Sequence, residues 1–200
     1  MTSKTSSTVL GAAAALAAVS LLTGAVAFAG FSGGTSGPDT LTGTDGGDRI
    51  SARAGNDTVE AKAGRDTIRA GNGADTVNGG PGRDRIAGGH GPDTLSGGLG
   101  RDLIYAQRGV DTVDGGRGND DLWALARRDV THQAGEPTDT VHGGAGNDRI
   151  HVRDGEADTV TCGDGFDVVR ADFKDQVATD CERVRRNVPR PPDDDKEIDD

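Results

Sequence analysis

The sequence has few residues with which to build a large apolar core. Of its 200 residues only 32% are hydrophobic and 3% aromatic, whereas 33 are glycine. This composition is typical of chains that remain disordered, because they bury too little apolar surface to offset the conformational entropy lost on folding. A folded structure therefore requires some other organising feature.

Basic residues are also in the minority. There are 22 Lys and Arg against 33 Asp and Glu, which gives a formal net charge of −11. A surface of this sign repels nucleic acid and anionic membranes, so neither is an expected partner, and it attracts cations. The four histidines share no helix and no HExxH pattern, which argues against zinc chemistry.

The organising feature is a nine-residue period. Residues 79–105 read GGPGRDRIA, GGHGPDTLS and GGLGRDLIY. Each block carries Gly-Gly, a third glycine, an aspartate two places after that glycine, and an aliphatic residue two places further on. The aspartates of this series are Asp39, Asp48, Asp57, Asp66, Asp75, Asp84, Asp93, Asp102, Asp111, Asp120 and Asp129, then, after two one-residue slips, Asp139, Asp148, Asp158 and Asp167.

Each position of the period has a physical role. The glycines allow tight turns with positive φ, and the residues after the aspartate favour a very short strand. One half-turn cannot bury its single aliphatic side chain alone, so it must stack on copies of itself. Two half-turns make a coil of about 18 residues, and coils stack about 4.8 Å apart. The aspartates then form two columns of mutually repelling carboxylates.

Such columns require a cation. Carboxylates and turn carbonyls form an all-oxygen ligand set, which suits Ca²⁺ better than zinc or copper. Mg²⁺ fits less well, because it demands octahedral geometry and retains its waters.

The blocks resemble the RTX-type, or hemolysin-type, calcium-binding nonapeptide repeats of secreted bacterial proteins. The resemblance covers roughly residues 34–170. It implies an all-β fold, a right-handed parallel β-roll or β-helix solenoid of nine-residue half-turns, with several Ca²⁺ ions held between turns on the same edge. The implied metal-binding residues are Asp48, Asp57, Asp66, Asp75, Asp84, Asp93, Asp102, Asp111, Asp120, Asp148 and Asp167. The best stacked pairs are Asp66 with Asp84, Asp75 with Asp93, Asp84 with Asp102, Asp93 with Asp111, and Asp102 with Asp120.

Several units depart from the repeat. Ala52-Arg53 and Ala61-Lys62 replace Gly-Gly before Asp57 and Asp66, which puts those two sites in doubt. The third glycine is also replaced before three aspartates, and we expect these turns to be weak or empty. The replacements are Arg127 before Asp129, Pro137 before Asp139 and Glu156 before Asp158.

The residues of the flanking segments indicate what each segment is. Residues 1–29 are predicted to be a secretory signal peptide, with Lys4, an apolar run and the cleavage tripeptide Ala27-Phe28-Ala29. The run is long enough that an uncleaved membrane anchor is the alternative. The rest divides into a linker (30–33), the regular array (34–123), an irregular loop (124–137), degenerate repeats with a C-terminal cap (138–186) and a disordered acidic tail (187–200).

Cys162 and Cys181 lie one coil plus one residue apart. Stacked neighbours are separated by roughly 5 Å, inside the range of Cα distances in disulfides. Export would supply an oxidising compartment, so we predict a disulfide that closes the last coil. Two free thiols are the alternative.

These features predict an extracellular calcium-binding protein that folds on binding Ca²⁺ and is not an enzyme. No segment longer than about 20 residues remains for a catalytic core. The alternative is an adhesive or structural protein at the cell surface, in which Ca²⁺ is only a folding cofactor. An ice-binding solenoid needs flat threonine ladders, and Arg49, Arg85 and Leu103 interrupt the threonines that follow the aspartates.

Overall fold

A computed structural model describes residues 26–27, 30, 32–124 and 138–186. These residues form short β-strands and contain no helix. Within these ranges no helix is long and apolar enough to cross a membrane. The strands are β1 (Val26–Ala27), β2 (Ser32–Gly33), β3 (Thr40–Thr42), β4 (Arg49–Ala54), β5 (Thr58–Glu60), β6 (Thr67–Asn72), β7 (Thr76–Gly82), β8 (Arg85–His90), β9 (Thr94–Gly100), β10 (Leu103–Arg108), β11 (Thr112–Arg117), β12 (Asp121–Trp123), β13 (Thr140–Ala145), β14 (Arg149–His151), β15 (Thr159–Asp164), β16 (Val168–Ala171), β17 (Gln176–Val177) and β18 (Arg183–Arg186).

The strands form two parallel sheets of nine strands each. The odd-numbered strands make the first sheet and the even-numbered strands the second, so the chain alternates between sheets and advances by one strand per coil. In the regular array each strand pairs with the one 18 residues later, as in the pairing of Ile50 with Ile68 and of Val59 with Val77. The prediction of an all-β parallel solenoid is therefore confirmed.

The core is a narrow stack between the sheets. From Leu41 to Val169 the aliphatic residue of each half-turn points inward and is at most 4% exposed, whereas Val177 is partly buried and Val184 is exposed. Alanines at the first-glycine position, such as Ala52 and Ala106, are also completely buried. Because each side chain packs between copies of itself, the sheets stay in register and carry the turns with them.

The 18-residue step between coils changes in the C-terminal part of the solenoid. Val113 pairs with Val141 and Leu122 with Ile150, a step of 28 residues instead of 18. The coils on either side of residues 125–137 therefore pair directly. Later steps along the columns are 19, 17 and 15 residues, as from Asp139 to Asp158, from Asp158 to Asp175 and from Asp167 to Glu182. Asp129 and the rest of 125–137 lie outside the described residues, as do 187–200 and all of the predicted signal except Val26 and Ala27.

Seven of the threonines that follow the aspartates form an uninterrupted column. These seven are exposed and lie side by side in the first sheet, whereas Thr67 lies in the second sheet between Arg49 and Arg85. The sequence argument that arginines interrupt the ladder therefore holds for the second sheet and was wrong for the first. The face is nevertheless only one threonine wide, because the next outward column carries Glu60, Asp114 and His142. The threonine column is Thr40, Thr58, Thr76, Thr94, Thr112, Thr140 and Thr159.

The C-terminal coils continue the solenoid. Cys162 and Cys181 form the predicted disulfide, with Cα atoms 5.2 Å apart. Val177 pairs with Val160 and Val184 with Val169, so the partial units of the tail keep the stacking register. The last coil is thus held by both strand pairing and a covalent link.

Removing this disulfide should destabilise the C-terminal coils. For a link across 19 residues, loss of loop-closure restraint costs about 3 kcal/mol. We expect the double variant Cys162→Ala, Cys181→Ala to unfold at lower denaturant than the oxidised protein. Alanine is a suitable replacement because it already occupies the core position of Cys162 in other coils, as Ala52 and Ala106. Reductant should lower the denaturation midpoint of the parent protein to that of the variant and leave the midpoint of the variant unchanged. Equal midpoints for the variant and the oxidised parent would contradict this role.

Candidate metal centre

Two columns of aspartates run along the edges of the solenoid, one at each turn between the sheets. All but Asp39 are less than 5% exposed. The first edge carries Asp39, Asp57, Asp75, Asp93, Asp111, Asp139, Asp158 and Asp175. The second edge carries Asp48, Asp66, Asp84, Asp102, Asp120, Asp148 and Asp167. All eleven aspartates predicted to bind metal lie in these columns, and the five predicted pairs are stacked neighbours.

One hydrogen bond repeats along both columns. The backbone amide of each aspartate donates to Oδ1 of the aspartate in the next coil, as from Asp84 to Asp102 at 2.8 Å. The distances along both columns lie between 2.7 and 3.2 Å. This bond fixes the carboxylate rotamer and holds Oδ2 in the same orientation in every coil.

The units without Gly-Gly keep this geometry. Arg53 and Lys62 adopt positive φ values of 81° and 71°, as does Gln107 at the same position of another unit. Asp39 and Asp48 accordingly donate to Asp57 and Asp66 at 2.8 and 2.7 Å. The doubt that the sequence cast on these two turns therefore has no counterpart in their backbone geometry.

The columns also include residues that the sequence analysis set aside. Asp139 and Asp158 follow disrupted turns but occupy the same positions and make the same hydrogen bond. Asp175 continues the first column, and Glu182 Oε2 ends the second by accepting the amide of Asp167 at 2.8 Å. The nine-residue period was the available signal for Asp139 and Asp158, and the valines two residues after Asp175 and Glu182 were the signal for the other two.

The second oxygen of most column carboxylates is buried without a hydrogen-bond partner. Leaving a buried anionic oxygen unpartnered costs more than leaving a neutral one, so a ligand that satisfies these atoms would stabilise the fold. The unpartnered atoms are Oδ2 of Asp57, Asp66, Asp75, Asp84, Asp93, Asp102, Asp111, Asp120, Asp148, Asp158 and Asp167.

Burial makes these carboxyl groups weak acids. Burial is the largest cause and raises the pKa of Asp93 to about 7, with a further rise from the charges of Asp111 and Asp75. For the same reason the pKa of Asp120 rises to about 7 and that of Asp139 to about 8. A cation beside the column would offset both causes, because it favours the ionised form.

Backbone carbonyls stack beside the carboxylates. A Cβ atom on Gly97 would lie 2.7 Å from Asp102 Oδ2 and 2.7 Å from the Gly115 carbonyl oxygen, so glycine leaves a small space between these two oxygens. The same arrangement recurs at Gly115, beside Asp120 Oδ2 and the Gly143 carbonyl. The donor set of the edges is therefore carboxylate and carbonyl oxygen, which fits a hard cation such as Ca²⁺.

Asp48 differs from the rest of its column. Its Oδ2 accepts hydrogen bonds from the amide and hydroxyl of Thr44, at 2.7 and 3.0 Å, and its Oδ1 accepts the amide of Gly30. Burial raises its pKa, but these hydrogen bonds outweigh burial and lower it overall. Asp48 is therefore satisfied without a cation and is the weakest of the predicted ligands.

The repeats match a known protein family. The model described as RTX calcium-binding nonapeptide repeat (4 copies) matches residues 33–68, 53–86, 60–95, 87–122 and 135–169, which together are more than half of the chain. The chain belongs to this family. Its repeats form calcium-binding β-rolls, a structural rather than enzymatic kind of domain. A comparison with curated proteins gives no match.

Proposed function

We propose that this RTX repeat protein is secreted, binds several Ca²⁺ ions along its two edges, and folds when it binds them outside the cell. The observation that carries the proposal is the recurrence of buried, unpartnered Oδ2 atoms in register with stacked carbonyls. The proposed ligands are the eleven aspartates predicted from the sequence. Asp57, Asp75, Asp93 and Asp111 act on the first edge, and Asp48, Asp66, Asp84, Asp102, Asp120, Asp148 and Asp167 on the second.

Folding should depend on the metal because neighbouring ligands meet only after the coils stack. When a site exists only in the folded state, the free energy of metal binding adds directly to folding. The metal-free columns also oppose folding, since they bury carboxylates near one another. Free Ca²⁺ is submicromolar in cytosol and millimolar outside cells, so the chain would stay unfolded until export. The predicted signal and the disulfide support an extracellular location.

The test is far-UV circular dichroism of residues 30–200, first freed of metal with EDTA and then titrated with Ca²⁺. We expect a cooperative gain of β signal between sub-millimolar and millimolar Ca²⁺, and none with Mg²⁺ as the control. A chain already rich in β-structure in EDTA would contradict calcium-dependent folding. That outcome would favour the alternative function, an adhesive or structural solenoid at the cell surface.

A single column substitution should have opposite effects with and without calcium. Asparagine in Asp102→Asn keeps an Oδ1 acceptor for the amide of Asp84 but removes the buried charge. We therefore expect weaker calcium binding by about tenfold or more, together with a more stable metal-free state. Calcium titration by calorimetry measures the first effect. Denaturant unfolding in EDTA at about pH 5, where protonated carboxyl groups should allow the metal-free chain to fold, measures the second. The matched control is Asp114→Asn, an exposed aspartate outside the columns, which should change neither.

A further inference from the structure

Arginine is concentrated on one face of the solenoid. The strands of the second sheet contain ten arginines and a single acid, Asp121. The strands of the first sheet contain one arginine, Arg117, and three acids. A chain with a net charge of −11 therefore has one basic face. We call it the arginine face and define it as the outward side chains of the second sheet.

Strand register places three of these arginines in a cluster near the N-terminal end of the sheet. Arg49 and Arg85 lie two coils apart in one outward column, and Arg69 lies in the next outward column on the coil between them. Three consecutive coils thus each carry an outward arginine, at steps of about 4.8 Å. We call these three residues the N-terminal arginine cluster.

The C-terminal end of the sheet repeats the arrangement. Arg149 and Arg183 lie two coils apart in the first of these columns, and Arg170 and Arg185 are neighbours in the second. These four residues form the C-terminal arginine cluster. Three coil steps, or about 14 Å, separate Arg85 from Arg149, and the two clusters together span about 34 Å along the solenoid axis.

The guanidinium groups of both clusters are available to a ligand. All seven side chains are exposed. Among the residues that the structure describes, none of the seven makes a side-chain hydrogen bond or an ion pair. Positive charges at this spacing repel one another, so an anion bound between them would lower the energy of the face.

Between the clusters the face is largely aromatic. Tyr105, Trp123 and His151 lie side by side in the second outward column. The indole and imidazole rings stack with their centres 3.8 Å apart, and the Tyr105 ring lies 6.0 Å from the indole on the other side. Asp121 Oδ1 lies 3.4 Å from His151 Nε2. The aromatic rings therefore turn their faces toward one another rather than toward solvent.

These features distinguish between classes of anion. Duplex nucleic acid carries one charge about every 1.7 Å, several times denser than the arginines. A single strand is held by bases stacked on aromatic faces, and here neighbouring rings cover those faces. Binding to an anionic membrane combines basic residues with buried apolar side chains, and within the second-sheet strands the exposed large hydrophobic residues are Tyr105 and Val184 alone.

We propose that the arginine face binds a linear acidic polysaccharide that carries carboxylate groups, with the polymer lying along the solenoid axis. A sugar unit of such a polymer is about as long as one coil step, so its carboxylates meet successive arginines of a cluster. The planar guanidinium group matches a carboxylate through two parallel hydrogen bonds. Individually weak contacts reinforce one another when one polymer reaches both clusters. The inference goes beyond the proposed function and shares with it only the extracellular location.

The test uses end-labelled hyaluronan oligosaccharides, which carry one carboxylate per disaccharide. Fluorescence anisotropy measures their binding to the full chain in saturating Ca²⁺. A tetrasaccharide reaches one cluster, whereas a decasaccharide is long enough for both. We expect the decasaccharide to bind at least about tenfold more tightly than the tetrasaccharide, and both to bind more weakly as the salt concentration rises.

The double variant Arg85→Gln, Arg149→Gln removes one exposed arginine from each cluster. We expect it to bind the decasaccharide at least about tenfold more weakly and to lose most of the gain with length. The matched control is Lys62→Gln, Arg117→Gln, which removes the same charge away from the arginine face. Because distant exposed charges are screened, this control should bind within about twofold of the parent. Gln107 shows that glutamine is compatible with the positive φ of Lys62.

Two kinds of result would overturn the proposal. If the decasaccharide does not bind, or binds the parent and the Arg85→Gln, Arg149→Gln variant equally, the arginine face is not its site. If a single-stranded oligonucleotide of equal charge, or vesicles containing phosphatidylserine, bind more tightly than the decasaccharide, the partner is not a polysaccharide. Failure of calcium-dependent folding is a separate result, because circular dichroism in EDTA shows it whether or not the oligosaccharide binds.

Discussion

Replacing Gly118 with alanine should cost the fold about 3–5 kcal/mol, as much as removing a large core side chain. Gly118 is the third glycine of its unit and has a φ of 145°, a conformation that alanine rarely adopts. A Cβ atom at this position would lie 1.2 Å from the carbonyl oxygen of Gly100 in the preceding coil. The obstacle is the backbone of Gly100, so no side chain can move away to relieve it.

Gly46 is the matched control. It holds the same position in an earlier unit, but a Cβ atom there would meet nothing closer than Thr44 Oγ1 at 3.8 Å. We expect Gly46→Ala to change stability by less than about 1 kcal/mol. Denaturant unfolding of both variants in saturating Ca²⁺ measures the difference. Similar losses in the two variants would show that flexibility of the unfolded chain, rather than coil contact, explains the glycines.

Replacements at the first two glycines of the repeat are accommodated in different ways. The first glycine is replaced by Ala52 and Ala106, whose methyl groups fill the core. The second is replaced by Arg53 and Gln107, which reach positive φ. A repeat pattern counts these glycines equally. The stacking distance between coils shows that the room beside each glycine differs from unit to unit, from 1.2 Å at Gly118 to 3.8 Å at Gly46.

The nine-residue period predicted the fold and the aspartate columns because it determines which residues stack on one another. When a coil has 18 residues, equivalent strand, core and aspartate positions of neighbouring coils lie side by side, and the structure confirms this for the regular array. The sequence was less informative where the coil length changes. It predicted an irregular loop at 124–137, with Arg127 and Pro137 in place of glycine, but it did not predict that Asp120 would pair with Asp148 across a step of 28 residues.

The details of the candidate site depend on the offset between coils, which no single repeat contains. The sequence predicted that carboxylates would lie above one another and repel. The structure adds that the amide of Asp84 occupies Oδ1 of Asp102, so that only Oδ2 is left for a cation. The error about the threonines has the same origin. Successive units belong to opposite sheets, so an interruption at Arg49 or Arg85 does not break the column of Thr40 and Thr58.

Acid should substitute for calcium in folding the chain. Carboxyl groups of the unfolded chain titrate near 3.8, whereas burial, as the largest cause, raises the pKa of eight column aspartates in the metal-free fold to between about 6 and about 9. The fold thus holds more protons than the unfolded chain over this range. Stability is then greatest near or below about pH 4 and falls as pH rises through the folded pKa values. His151 acts in the opposite direction, because burial lowers its pKa, but it is a single group.

Calcium should reverse this dependence. Its ligands must be deprotonated, so affinity rises with pH, and the calcium-bound fold gains stability over the range in which the metal-free fold loses it. Circular dichroism of the metal-free chain between about pH 5 and about pH 8, before and after adding Ca²⁺, tests both pH dependences. We expect β-structure at the acid end that melts as pH rises and returns on adding Ca²⁺. A metal-free chain that gains structure toward pH 8 would mean that the column carboxylates are not the groups opposing the fold. Protons and calcium would then not be interchangeable means of neutralising these two columns.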